Sequence, residues 1–164
     1  MLWKGDFSLD VVQASDNLIL ANAVYRPYAL NFSLICVYGD PHHVRTDAIW
    51  QAIFNFVVNN PDVPVLCMGD MNNIMNANEK LGPNPVNARR VSNFCHWIKQ
   101  CSLFDLGFSG PAYTWSNKRF ASTPTFERLD RYLANAEWCS IFPSTTVFHL
   151  PMMYSDHVPI LIML

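Results

Sequence analysis

The chain has 164 residues, of which 51% belong to the AVILMFWYC set and only 15% are charged. This is the size of one domain, read as spanning residues 1–164, with enough apolar material for a packed core, and it excludes intrinsic disorder. Eleven Lys+Arg against 13 Asp+Glu give a formal charge of −2, which excludes a polycation that coats nucleic acid by bulk charge.

The opening MLWKGDFSLD has no apolar core of signal-peptide length. No apolar run reaches the ~18 residues of a membrane span. A nuclear or cytoplasmic protein without a membrane partner is expected. Apolar Phe7, Leu9 and Val11 alternate, so residues 6–14 read as a strand. Residues 17–25 and 31–38 are further strands, joined through Arg26-Pro27-Tyr28. Over 44–59 the period changes, and Ile49, Ile53, Phe54 and Val57 share one helix face. Pro61 and Pro64 close that helix. Val65-Leu66-Cys67-Met68 is a short buried strand that stops at Gly69-Asp70. An Asn-rich polar loop follows, up to Asn87. Val91, Phe94, Cys95 and Ile98 then mark a helix over 88–101. Gly107, Gly110 and Pro111 mark turns, and 112–116 and 124–127 read as strands. Leu129–Leu133 passes into a short helix near Glu137–Ile141, and 145–150 and 158–164 close the chain as strands. The order suggests sheets covered by helices rather than strict βαβ alternation.

Five cysteines, Cys36, Cys67, Cys95, Cys101 and Cys139, form no CxxC pair and sit beside apolar residues. They read as buried reduced thiols. Of a zinc site, only the adjacent His42-His43 gives a hint. Charge is uneven: residues 1–78 carry 3 basic and 7 acidic side chains, and 79–164 carry 8 basic and 6 acidic. Within 89–131 the basic residues include Arg89, Arg90, Lys118, Arg119, Arg128 and Arg131, with aromatics interleaved. Such a segment could track a phosphate backbone, or be a solvated surface over an aromatic core.

Gly69-Asp70-Met71-Asn72 lies at the carboxyl end of an apolar strand. There a carboxylate can orient a water and an amide can hold a phosphate oxygen. Ser155-Asp156-His157 offers an oxygen ligand for a hard divalent ion beside an imidazole. Asp130, in Arg128-Leu129-Asp130-Arg131, is available to orient His157, and Tyr38 ends the third strand. Taken singly, each of these also reads as an ordinary turn, ion pair or core residue.

As an ordered set, Tyr38-Gly39, Gly69-Asp70-Met71-Asn72, Arg128-Leu129-Asp130-Arg131 and Ser155-Asp156-His157 resemble the endonuclease/exonuclease/phosphatase, or DNase I-like, superfamily of metal-dependent phosphodiesterases. The text between them is similar to the endonuclease domain of plant LINE-type (non-LTR) retrotransposons. It includes Asp105-Leu106-Gly107-Phe108-Ser109-Gly110, Tyr113-Thr114-Trp115-Ser116-Asn117 and Glu127-Arg128-Leu129-Asp130-Arg131-Tyr132-Leu133-Ala134-Asn135. The resemblance implies an α+β fold, the four-layer α/β/β/α sandwich. It implies DNA as partner and Mg²⁺ or Mn²⁺ as cofactor. By the same resemblance Asp70 orients or deprotonates the attacking water, and Asn72 holds the scissile phosphate. His157, oriented by Asp130, hydrogen-bonds or protonates a phosphate oxygen. Asp156 helps to bind the metal and Tyr38 contacts the phosphate or leaving oxygen. The reaction implied is in-line attack of water on a phosphodiester. Arg89, Arg90, Lys118, Arg119 and Arg128 are the expected nucleic-acid contacts.

Members of the superfamily begin with an earlier segment that supplies an Asn and a metal-binding Glu. This chain opens at what reads as the following strand, and Glu79, Glu127 and Glu137 lie in other motifs. The expectation is a domain incomplete at its N-terminus, with Asp156 as a weak metal ligand. Apolar surface left open in this way would favour self-association. A further departure is Pro41, where many relatives carry Asn. Three functions compete: a DNA-nicking endonuclease, an inactive relict that at most binds nucleic acid, and a phosphatase of small phosphorylated molecules. The Tyr-Thr-Trp-Ser-Asn and Glu-Arg-Leu-Asp-Arg text favours the first two over the third. All require Asp70, Asn72, Asp130, Asp156 and His157 to converge at one rim.

Overall fold

The computed structural model describes residues 5–119 and 122–164. Outside them lie residues 1–4, from the opening read for a signal peptide, and 120–121, from the basic aromatic segment. Strands β1 (Phe7–Ala14), β2 (Leu18–Tyr25) and β3 (Leu30–Tyr38) form an antiparallel meander. Helix α1 (Thr46–Val58) then returns the chain so that β4 (Val65–Asp70) runs parallel to β3. After β5 (Lys80–Leu81) come α2 (Ala88–Gln100), β6 (Phe104–Asp105), β7 (Trp115–Ser116) and β8 (Phe126–Glu127). Strand β9 (Asp130–Ala134), helix α3 (Ala136–Ile141), β10 (Thr146–His149) and β11 (Ile160–Met163) complete the order.

The main sheet has the order β1-β2-β3-β4-β9-β6, with a small sheet β5-β8-β7 and a pair β10-β11. Alternation along its strands divides the core in two. On one face Leu20, Ile35, Val65 and Leu133 pack against Ile49, Trp50 and Ile53 of α1 and Phe94 and Ile98 of α2. On the other face Ala21, Phe32, Leu34 and Tyr132 meet Trp138, Phe142 and Val147, with Ile160 and Ile162 beside them. A helix pair, a sheet and a second sheet are thus stacked. Leu161 and Met163, pointing outward from β11, are exposed.

The two long helices follow the apolar faces read from the sequence. Asn87 caps α2 by accepting a hydrogen bond from the Arg90 amide. Asn135 accepts from the amides of Trp138 and Val65, so one side chain starts α3 and finishes the edge of β4.

Several expectations need correction. Residues 130–134, read as leading into a helix, form strand β9 between β4 and β6. Two charged residues at its head hide its alternation, because Arg131 points into the core and is wholly buried. Strands expected over 112–116 and 124–127 shrink to two residues each, in the small sheet. The Asn-rich loop holds β5, which pairs with β8. Val11 is 56% exposed rather than inward, and the register of β1 shifts just beyond it, between Val11 and Gln13.

Candidate active site

The carboxyl end of β4 lies between the end of β3 and the start of β9, so Tyr38 and Asp130 are the register partners of Asp70. Two glycines allow this close approach. A Cβ on Gly69, where φ is +133°, would strike the Val37 carbonyl, and one on Gly39 would strike the Met71 carbonyl. Asn72 turns the chain with φ at +49°, a conformation asparagine tolerates. Its amide N–H donates to Asp70 Oδ1 at 2.9 Å, and its side-chain Nδ2 donates to the Gly39 carbonyl at 2.7 Å. The Tyr38 side chain is half-exposed on the same rim.

His157 arrives from the segment before β11, and Trp115 is its bridge partner. Its Nδ1 donates to Asp130 Oδ2 at 2.8 Å, and its Nε2 lies 3.9 Å from Asp70 Oδ2. One imidazole is therefore held by one carboxylate and turned towards another. The hydrogen bond to Asp130 raises the His157 pKa against the opposing effect of burial. Burial likewise raises the Asp70 carboxyl, reinforced by the charges of Asp130 and Asp156. Asp156 is exposed; a hydrogen bond from its own backbone amide, and then one from Trp115 Nε1 at 3.3 Å, keep its carboxyl pKa below the ordinary value.

Among the described residues, Asp70, Asp130 and His157 are the group whose ligand atoms all lie within 4.8 Å of one another. The donor chemistry fits a hard divalent ion. Carboxylate oxygens predominate, and burial, with the neighbouring Asp130 and Asp156 charges, raises the Asp70 pKa, a cost to its anion that a cation would offset. Mg²⁺ commonly takes only one or two protein carboxylates and completes its shell with water and substrate phosphate.

Beneath this rim lies a second charged cluster; an ion pair around Arg128 and Arg131 is one of the expectations, but its burial and its partners Glu79 and Asp105 are not. Arg128 donates to both oxygens of Asp105 at 2.7 and 2.8 Å and to Glu79 at 2.9 Å. Arg131 donates to Asp105 at 2.7 Å and to Glu79 at 2.9 Å. Glu79 also accepts from the Met75 amide, so the cluster ties the loop after Asn72 to the start of β9. Arg128 is 5% exposed, which corrects its expected role as a nucleic-acid contact: both terminal nitrogens are committed to carboxylates, and the guanidinium lies over the Phe108 ring at 4.5 Å. Arg89, Arg90, Lys118 and Arg119 are exposed, although Lys118 Nζ donates to the Tyr154 carbonyl.

The sequence reading also missed Thr114. Its hydroxyl oxygen is fully buried and accepts from the amides of both Leu129 and Asp130, fixing the backbone that carries the His157 partner. Nothing local distinguishes it from other strand threonines, because its partners are 15 and 16 positions away.

No family model matches the sequence, and no curated protein matches it. Solved structures do. The endonuclease domain of TRAS1, a telomere-specific non-LTR retrotransposon, superposes with a TM-score of 0.71 at 17% identity, over 94% of this chain and 68% of that one. The fold is DNase I-like. AP endonuclease LMAP from Leishmania major matches with a TM-score of 0.66 at 14% identity, over 90% of this chain and 54% of that one. An endonuclease/exonuclease/phosphatase family protein from Bacteroides thetaiotaomicron matches with a TM-score of 0.55 at 13% identity, over 96% of this chain and 65% of that one. The chain thus spans between about half and two thirds of these DNase I-like proteins. Among the described residues no helix is long and apolar enough to cross a membrane.

Proposed function

We propose that the protein is a metal-dependent phosphodiester hydrolase acting on DNA, an endonuclease domain of LINE-type retrotransposon origin. The observation that carries this reading is the Asp130–His157 hydrogen bond of 2.8 Å with Asp70 on the far side of the same ring at 3.9 Å. A paired imidazole facing a buried carboxylate is suited to moving a proton near a phosphate. In this reading Asp70 orients or deprotonates water, which the raised pKa of its carboxyl favours. Asn72 steadies the scissile phosphate and Tyr38 meets it or the leaving oxygen. Asp130 holds the His157 ring with Nε2 free to contact a phosphate oxygen. Asp156 would help to hold Mg²⁺ or Mn²⁺, which when bound would neutralise charge that develops on the phosphoryl oxygens.

One observation favours the inactive relict instead. Glu79 is locked to Arg128 and Arg131, and Glu127 to Lys80 at 2.6 Å, so neither is spare to join Asp156 as a metal ligand.

Nicking of supercoiled plasmid in Mg²⁺ or Mn²⁺ separates the two readings. For a nuclease, the native chain relaxes the plasmid, and Asp70→Ala and His157→Ala each lower the rate by ~10²–10⁴-fold, the usual contribution of general acid–base catalysis. Nicking that survives both substitutions sinks the assignment. Absence of nicking with salt-sensitive DNA binding retained establishes the relict.

A further inference from the structure

Beside the rim is a small cavity of about 70 Å³, whose lining includes His43, Asn72, Asn73, Lys80, Asn87 and Arg90. We propose that it seats a second phosphate of the same nucleic-acid strand, next to the phosphodiester held at Asp70 and His157. This inference rests on the nuclease reading and deepens it.

Asn72 belongs to both places. Its amide N–H donates to Asp70, and the residue is among those lining the cavity, so one strand could occupy both in succession. The rim itself is poor at attracting a polyanion, since Asp70, Asp130 and Asp156 lie close enough there for their charges to act on one another. The whole chain carries −2. Affinity for a phosphate backbone must therefore come from local cationic seats.

The cavity has such a surplus. Lys80 is neutralised by Glu127, which also lines it. Arg90 makes no ion pair among the described residues, and it stands exposed at the start of α2. His43 adds an unmet polar group: its Nδ1 is buried without a hydrogen-bond partner among the described residues. A buried ring nitrogen left unpaired is costly, so a shift of the His43 ring that turned it towards a phosphate oxygen would be favoured. Three asparagines, Asn72, Asn73 and Asn87, are among the lining residues and add polar groups of the kind that positions phosphates without reading bases.

The test is binding of a short fluorescein-labelled DNA duplex in EDTA, followed by anisotropy across a salt series. Arg90→Ala is compared with Arg26→Ala, which removes the same charge at the opposite end of β3. The expected result for Arg90→Ala is a roughly tenfold loss of affinity at low salt and a salt dependence lowered by about one counterion. His43→Ala should weaken binding in the same direction, while Arg26→Ala leaves both quantities near native. Equal effects of Arg90→Ala and Arg26→Ala, or none from Arg90→Ala, overturn the proposal. Native nicking with an indifferent Arg90 sinks the second seat alone. Binding that depends on Arg90 without any nicking sinks the hydrolase reading alone. A native chain that binds no duplex overturns both.

Discussion

Two charged clusters flank β9, and they are built on opposite terms. The lower one sets Arg128 and Arg131 against Glu79 and Asp105, with the arginines 5% and 0% exposed. Its formal charges cancel and its hydrogen bonds are short. The rim cluster sets Asp70 and Asp130 against a single imidazole, partly open to solvent, with Asp156 nearby. Its negative charge is in excess. The first arrangement suits a structural clamp, in which desolvated charges are matched. The second stores unfavourable ionisation, which a cation or a phosphate proton transfer can relieve.

The strongest response in stability comes from the clamp. Arg131→Met should cost about 3–5 kcal/mol, because Asp105 and Glu79 would be left buried with one partner fewer. Urea unfolding measures it, and a cost below that of an exposed pair would erase the distinction.

Acid sensitivity is the next test. Burial raises the Glu79 and Asp105 carboxyls, but hydrogen bonds and charge from Arg131 and Arg128 outweigh it and hold both below their ordinary values. A carboxyl with a lowered folded pKa stabilises the fold above its unfolded pKa and loses that contribution as pH falls through the folded value. Asp70 has the opposite sign: its raised pKa favours folding at low pH, and that contribution is lost as pH rises through the raised value. Urea midpoints followed from neutral pH downwards should therefore fall, with a shallower fall in Asp105→Asn and a steeper one in Asp70→Asn. Matching slopes in the two variants would refute the assignment.

Thr114→Val should cost about 1–3 kcal/mol by leaving the Leu129 and Asp130 amides without their buried acceptor. Because Asp130 would shift with its backbone, the substitution should also lower plasmid nicking more than it lowers the melting temperature would suggest. The least effect on stability belongs to Asp70→Asn, which keeps the oxygen facing the Asn72 amide and removes the excess charge. Its melting temperature at neutral pH should equal or exceed the native value while nicking disappears, and a marked drop would count against the rim as a store of unfavourable charge.

Much of this arrangement is visible in the linear text, because the signals are local. The apolar faces of α1 and α2 repeat at helical spacing, and β2, β3 and β4 are apolar runs bounded by turns. Gly69-Asp70-Met71-Asn72 carries its own turn chemistry, and Ser155-Asp156-His157 carries its own donors. The ordered motifs pointed to the DNase I-like fold that the superpositions show. What local text could not supply was burial of charge. Arg131 interrupts the apolar alternation that would have announced β9, and Arg128 reads as a surface cation. Both are reversed by Asp105 and Glu79, which stand 23 to 52 positions away.

Residue types and spacing settled which atoms are present: the carboxylates, the imidazole, the glycines that let strands meet. Whether a given charge is a tool or a strut is a matter of its neighbours, since the free energy of an ion depends on solvent and opposing charge within a few ångströms. Only the assembled sheet, with β9 placed between β4 and β6, separated Asp130 at the rim from Arg131 in the clamp.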